Sequence, residues 1–218
     1  MNIKSPSFLK LVVLLTLNSL FLLPVVVSAK NKIGITEEIN SLNIKYAGKS
    51  VTIERIQDPK HKLTNSFAKT SRVCPPFCVQ PMEIAPGVKT VGEVELLAFL
   101  DNEVKNSKGL LIDARLPDWF EKGTIPGSIN IPFSILEGGL KNNHALKILK
   151  LLGASKKEET WNFDNVQKLL LFCNGLWCGQ SPIAIKDLLS MGYPADKLLW
   201  YRGGMQAWQL LGLTVVKP

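Results

Sequence analysis

The alternation of apolar and polar positions changes rhythm along this chain, and each change marks an element. Leu11 to Val27 is one apolar run broken only at Thr16, Asn18, Ser19 and Pro24, preceded by Lys4 and Lys10 and followed by Val27-Ser28-Ala29. A charged start, an apolar middle and a small-residue end are the layout of a secretory signal, so residues 1–29 read as a signal peptide cut after Ala29. The run also approaches the ~18 residues that cross a bilayer, which leaves an uncleaved anchor as the alternative. From Lys30 the chain turns polar and basic. Period-two alternation in Asn43–Tyr46 and again in Val51–Ile56, on either side of Ala47-Gly48, predicts a small hairpin. An isolated hairpin is marginal, so this one must pack on the rest of the chain.

Beyond the proline-rich stretch through Pro86-Gly87 the rhythm becomes that of a mixed fold. Thr90-Val91-Gly92-Glu93 reads as a capping box, and Val91, Val94, Leu97 and Ala98 at helical spacing predict a helix to about Asn106. Gly109–Arg115 is a short apolar run ending in charges, the pattern of a buried strand whose carboxyl end faces a cleft. A strand is expected at Ser128–Pro132, a helix from Ala145 to Leu152, a strand at Lys168–Phe172 and a strand at Leu198–Tyr201. Helices are expected from Ser181, as N-cap before Pro182, to about Gly192, and from Met205 to Leu211. Strands and helices alternate throughout, which predicts an α/β fold with an open parallel sheet covered on both faces. The expected organisation is a signal at 1–29, an extension with the hairpin at 30–85, and a main domain at 86–218.

Composition narrows the chemistry. The 218 residues carry 26 Lys and Arg against 18 Asp and Glu; without the two lysines of 1–29, the remaining 24 bases face 18 acids. This modest surplus forms no basic run interleaved with aromatics, so nucleic acid is not an expected partner, and membrane contact is expected only through an uncleaved signal or a weakly basic surface. His61 and His144 are the only histidines and lie far apart, which disfavours a histidine metal site or a Ser-His-Asp hydrolase. No metal or cofactor is expected. The exported location, periplasmic for a Gram-negative source, makes the four cysteines disulfide candidates: Cys74, Cys78, Cys173 and Cys178 allow three pairings. As extended polyproline, Cys74-Pro75-Pro76-Phe77-Cys78 would hold its Cα atoms ~12 Å apart, too far to bridge. A helical turn brings them to ~6 Å, and a cis Pro76 in a tight turn also serves, so a local clip is expected, with a redox pair that communicates with Cys173 as the alternative.

Cys173 is where reactivity is expected. It ends the apolar run Leu169–Phe172, and only Asn174, Gly175, Leu176, Trp177, Cys178, Gly179 and Gln180 separate it from Ser181 at the next helix. Ligands in such sheets sit at the carboxyl ends of strands and near helix N-termini. Loop amides and the helix end favour thiolate over thiol, which makes a nucleophile and a cradle for a persulfide. Asp113, Arg115 and Arg202 are candidate supports of the pocket, Asp113 by fixing loops and the arginines as cations. Cys178 could attack an intermediate on Cys173 and close a disulfide, or be locked to it permanently. Trp177 is a candidate pocket wall.

Residues from about Pro86 to Val216 resemble a rhodanese-like (sulfurtransferase) domain. Leu110–Arg115 is similar to that family's first hallmark strand, Gly123–Pro132 to its Gly-His-Ile-Pro-Gly-Ala segment with Thr124 in the histidine place, and Tyr201–Trp208 to its Gly-Gly-x-x-x-Trp signature. The resemblance implies a five-stranded parallel sheet between helices and Cys173 as the carrier of sulfane sulfur. It also implies a small sulfur-containing donor and a thiol or cyanide acceptor. This chain departs from the pattern in its loop: Ser181 is eight residues after Cys173 rather than six, and no cation lies between them. Gly179 stands where a Cys-x5-Arg phosphatase loop needs arginine, which argues against phosphatase activity. Two other readings are a thiol-disulfide redox protein that uses Cys173 and Cys178 with a partner protein, and a non-catalytic binding module on the same fold.

Overall fold

The alternating stretches form an antiparallel hairpin, β1 (Ser41–Tyr46) and β2 (Lys49–Glu54), with Leu42 opposite Ile53 and Ile44 opposite Val51. Ala47 and Gly48 both take positive φ, 46° and 77°, the two-residue turn that matches strand twist. The computed structural model describes residues 32–218; the signal peptide expected over 1–29 lies outside the described residues. Among those described, no helix is long and apolar enough to cross a membrane.

The main sheet is built from β3 (Lys89–Val91), β4 (Gly109–Asp113), β5 (Ser128–Asn130), β8 (Lys168–Phe172) and β9 (Leu198–Tyr201), in the order β3-β9-β8-β4-β5 and parallel throughout. A short polar hairpin, β6 (Ser155–Lys157) and β7 (Thr160–Asn162), precedes the central strand β8. The helices are α1 (Glu93–Phe99), α2 (Pro117–Lys122), α3 (Asn143–Leu151), α4 (Gln180–Ser190) and α5 (Gly204–Leu210). Two helix starts differ from the sequence expectation. Thr90 belongs to β3, and Gly92 caps α1, its N–H donating to Glu95 Oε2 at 3.0 Å. The regular α-helix ends at Phe99 and continues as a π-turn through Val104. At α4 the cap is Gly179, not Ser181, whose hydroxyl is engaged elsewhere.

Period-two alternation of the strands divides the core into two layers. Ile112, Leu169, Leu171, Leu198 and Trp200 face Ala145 and Leu149 of α3 and Ala184, Ile185 and Leu188 of α4. Leu111, Leu170, Phe172 and Tyr201 face α1 and α5, which contribute Leu96, Leu97, Met205 and Trp208. Ile44, Ile53 and Phe67 of the extension belong to this second layer, so residues 32–218 form a single compact unit. Each of the buried Leu, Ile and Met side chains among these contributes about 1.5–3 kcal/mol relative to exposure. The chain end closes the same side: Leu213 bridges Arg55, Val216 bridges Thr124, and Thr214 Oγ1 hydrogen-bonds the carbonyls of Thr52 and Glu54 at 3.1 Å.

Candidate active site

The register of the central strands fixes the site. Asp113 pairs with Phe172, and Phe172 with Tyr201, so the next residues along each strand, Ala114 and Arg115, Cys173, and Arg202, leave the sheet side by side at its carboxyl edge. Cys173 then enters a loop that turns tightly, Cys178 N–H donating to the Gly175 carbonyl at 2.9 Å. Helix α5 holds this loop from the other side. Met205 N–H donates to the Cys173 carbonyl and Gln206 N–H to the Asn174 carbonyl, both at 2.9 Å. Only glycine fits at 204: its φ is +56°, and a Cβ there would lie 2.4 Å from the Cys173 carbonyl oxygen and 2.6 Å from Gly175 N.

Cys173 and Cys178 are both free thiols and both buried. Ser181 Oγ donates to Cys173 Sγ at 3.2 Å and itself accepts from Trp200 Nε1 at 3.0 Å, so the indole N–H aims the hydroxyl proton at the sulfur. In its thiol form Cys173 Sγ donates to the Cys178 carbonyl at 3.3 Å. Burial pushes the Cys173 pKa up, but hydrogen bonds from the Cys178 thiol, the Ser181 hydroxyl and the backbone N–H groups of Ser181 and Gly175 outweigh it, and the net direction is down. Cys178 moves far the other way, raised by burial, by its hydrogen bond to Cys173 and by the charge there. The two directions make Cys173 the more acidic of the two thiols.

The candidate supports separate into two groups. Asp113 and Arg115 form a buried ion pair, Asp113 Oδ1 accepting from Arg115 Nε at 2.8 Å and Oδ2 from Thr124 Oγ1 at 2.8 Å. Arg115 also reaches the Gly123 carbonyl at 2.7 Å and Asn174 Oδ1 at 3.4 Å. Its charge is neutralised by Asp113, and it steadies the first loop residue. Arg202 turns away from the loop toward the extension, donating to the carbonyls of Gln80 at 2.6 Å and Pro81 at 3.0 Å. Trp177 lies under the extension, its Nε1 on Gln206 Oε1 at 2.6 Å, with Arg72 over its ring at 3.8 Å and Phe77 against it edge-on at 5.5 Å. Cys74 and Cys78 are joined in a disulfide with Cα atoms 4.6 Å apart, and the peptide bonds before Pro75 and Pro76 are cis.

Sequence reasoning did not reach Trp200, Gly204 or Gln80 as parts of the site. The Gly203-Gly204 pair was the one visible signal, since a double glycine at a helix start marks a close backbone approach. A large cleft of roughly 960 Å³, lined by Arg55, His61, Phe67, Leu176, Gln206 and Leu210 among others, touches the outer side of the loop. Cys173 does not line it.

Fold and site together define a class: an α/β domain that presents a cysteine between a central parallel strand and the helix after it. The rhodanese-like domain family matches residues 96–211, more than half of the chain, and the chain belongs to that family. Among solved structures, a rhodanese-related protein from Thermoplasma volcanium is similar at 23% identity over 60% of this chain and 99% of its own, with a TM-score of 0.40. A human single-domain sulfurtransferase is similar at 26% identity over 56% of this chain and 96% of its own, TM-score 0.39. A rhodanese from E. coli is similar at 23% over 50% of this chain and 99% of its own, TM-score 0.33. No curated protein matches the sequence.

Proposed function

We propose that the protein is an exported sulfurtransferase that carries sulfane sulfur as a persulfide on Cys173. The carrying observation is the Ser181 hydroxyl, aimed at Cys173 Sγ by the indole N–H of Trp200, at the junction of the central strand and the helix after it. Donors fixed before the reaction stabilise charge on that atom without reorganisation. The thiolate attacks the outer sulfur of a donor, the donor's S–S bond breaks, and the donor leaves with the bonding electron pair as thiolate, or as sulfite if the donor is thiosulfate. An acceptor thiolate or cyanide then attacks the terminal sulfur of the persulfide, taking it as a new persulfide or as thiocyanate and restoring the Cys173 thiolate. The signal-like segment supports an exported setting, and the surface charge gives no reason to invoke nucleic acid.

The test is the intact mass of the protein, its thiols reduced and the reductant removed, after exposure to polysulfide or thiosulfate. A gain of one sulfur atom that disappears with cyanide is expected, and Cys173→Ser should abolish it; a gain that survives in Cys173→Ser refutes the assignment. One observation favours a second reading: Cys178 is a second free, buried thiol in the same loop, and its carbonyl accepts from Cys173 Sγ at 3.3 Å. A thiol-disulfide cycle between them requires a reduction potential above about −300 mV, since lower values belong to structural bridges.

A further inference from the structure

The nucleophile of this site is 2% exposed, so a donor cannot reach it in the state described. The loop that carries Cys173 is overlaid by residues 72–82, which contain neither helix nor strand. That strap touches the loop at identifiable points. Gln80 N–H donates to the Leu176 carbonyl at 2.8 Å, and Phe77 and Arg72 pack on Trp177. Arg202 holds the Gln80 and Pro81 carbonyls, and Gln80 Nε2 reaches back to the Cys78 carbonyl at 2.9 Å.

Within the strap sits the Cys74–Cys78 disulfide. Its ring spans five residues, and its ring-bound Phe77 is the wedge against Trp177. A ring this small crosslinks no distant parts of the fold. Cys74 is exposed, and the disulfide is bordered by exposed apolar side chains, Val73 at 77%, Val79 at 77% and Met82 at 64%. A reachable disulfide in apolar surroundings is suited to exchange with a docking dithiol, and exposed bridges are the labile ones.

We infer that the Cys74–Cys78 disulfide is a redox site, reduced by an external dithiol, whose state determines whether the strap lies closed over the loop that carries Cys173. The reductant's thiolate attacks Cys74 Sγ, the S–S bond breaks, and Cys78 leaves as thiolate and takes a proton. The reductant's second thiol then releases Cys74 and departs as a disulfide, so two electrons pass from the dithiol to the strap. Phe77 loses the closed ring that holds it on Trp177, and the strap opens above the loop. This rests on the reading of Cys173 as the reactive thiol but not on what that thiol transfers.

The experiment measures the alkylation rate of Cys173 by iodoacetamide in the full chain, read from its peptide by mass spectrometry. One sample keeps the Cys74–Cys78 disulfide; another is reduced with dithiothreitol, which is removed under argon before alkylation. The loop-closure entropy of a five-residue ring corresponds to a factor of about thirty in local opening, so alkylation should quicken about thirtyfold on reduction and in a Cys74→Ser/Cys78→Ser variant. Phe77→Ala removes the wedge with the ring closed and should also raise the rate, which keeps the test valid if the double variant misfolds. Rates within twofold of the oxidised protein in both the reduced sample and Phe77→Ala overturn the inference, as does a disulfide that resists dithiothreitol in the folded protein. Sulfane loading separates the two proposals. Faster alkylation without persulfide keeps the strap and removes the transferase, whereas persulfide formed equally in both redox states keeps the transferase and removes the strap.

Discussion

Ser181→Ala is the most informative single change at the site. Ser181 is fully buried and serves two neighbours, giving a hydrogen bond to Cys173 Sγ at 3.2 Å and receiving one from Trp200 Nε1 at 3.0 Å. A hydrogen bond to a charged acceptor is worth about 1.5–3 kcal/mol, so its loss should lower the thiolate-to-thiol ratio of Cys173 roughly ten- to a hundredfold. The alanine also leaves the buried indole N–H without an acceptor, at a cost of about 1–3 kcal/mol of stability. Two assays separate these effects: the pH profile of Cys173 alkylation should move to higher pH, and urea denaturation should report the stability loss. Ser181→Thr keeps the hydroxyl and should restore most of the profile. If alanine lowers stability but leaves the profile in place, Ser181 is a packing residue and the account of thiolate stabilisation is wrong.

Neighbouring contacts carry their own expectations. Gly204→Ala should cost roughly 2–5 kcal/mol in urea denaturation, because a positive φ and a contact with the Cys173 carbonyl must both be relieved; a loss under about 1 kcal/mol would show that α5 does not fix the loop. Arg115→Ala strands Asp113 as a buried charge and should cost about 3–5 kcal/mol, most of it recovered by adding Asp113→Asn, and a lack of recovery would count against a paired network. Ile53→Ala should destabilise the protein by about 2–5 kcal/mol in a single transition. A separate early melting of the extension would contradict the shared core. The folded pKa of Cys173 lies below its unfolded value, so its contribution to stability is complete above the ordinary cysteine range near about 8.5 and fades as pH falls through the folded pKa. Comparing Cys178→Ser with Cys173→Ser/Cys178→Ser should show stability rising with pH across that interval only when Cys173 is present.

The features legible in the sequence are those that depend on near neighbours along the chain. Leu169–Phe172 announces a strand buried on both faces, and the five-residue span of Cys74 and Cys78 limits their local geometry enough to expect a clip. Ser181-Pro182 also has the form of a local signal, but the hydroxyl serves Cys173 and Trp200 across the sheet, so the cap moves to Gly179. That exchange depends on β8 pairing with β9, which no local pattern reveals. The strands β3, β6 and β7 have three residues each, too few for a period to show; β5 is as short, but Ile131 beyond its end continues the alternation begun at Ile129. The strap over the loop is invisible for another reason: Arg72, Phe77 and Gln80 meet partners about a hundred positions later, and packing alone brings them together.

Residues 212–218 have a consequence for anyone who cuts the protein before them. Val216 exchanges backbone hydrogen bonds with Thr124, the residue whose hydroxyl supports Asp113, and Thr214 ties down β2. Shortening the protein to end at Leu211 would therefore unstitch the tail from two places at once, loosening the buttress behind Asn174 and the hairpin that leads into the Cys74–Cys78 segment. A cut after Leu211 would be expected to disturb chemistry far from where it falls.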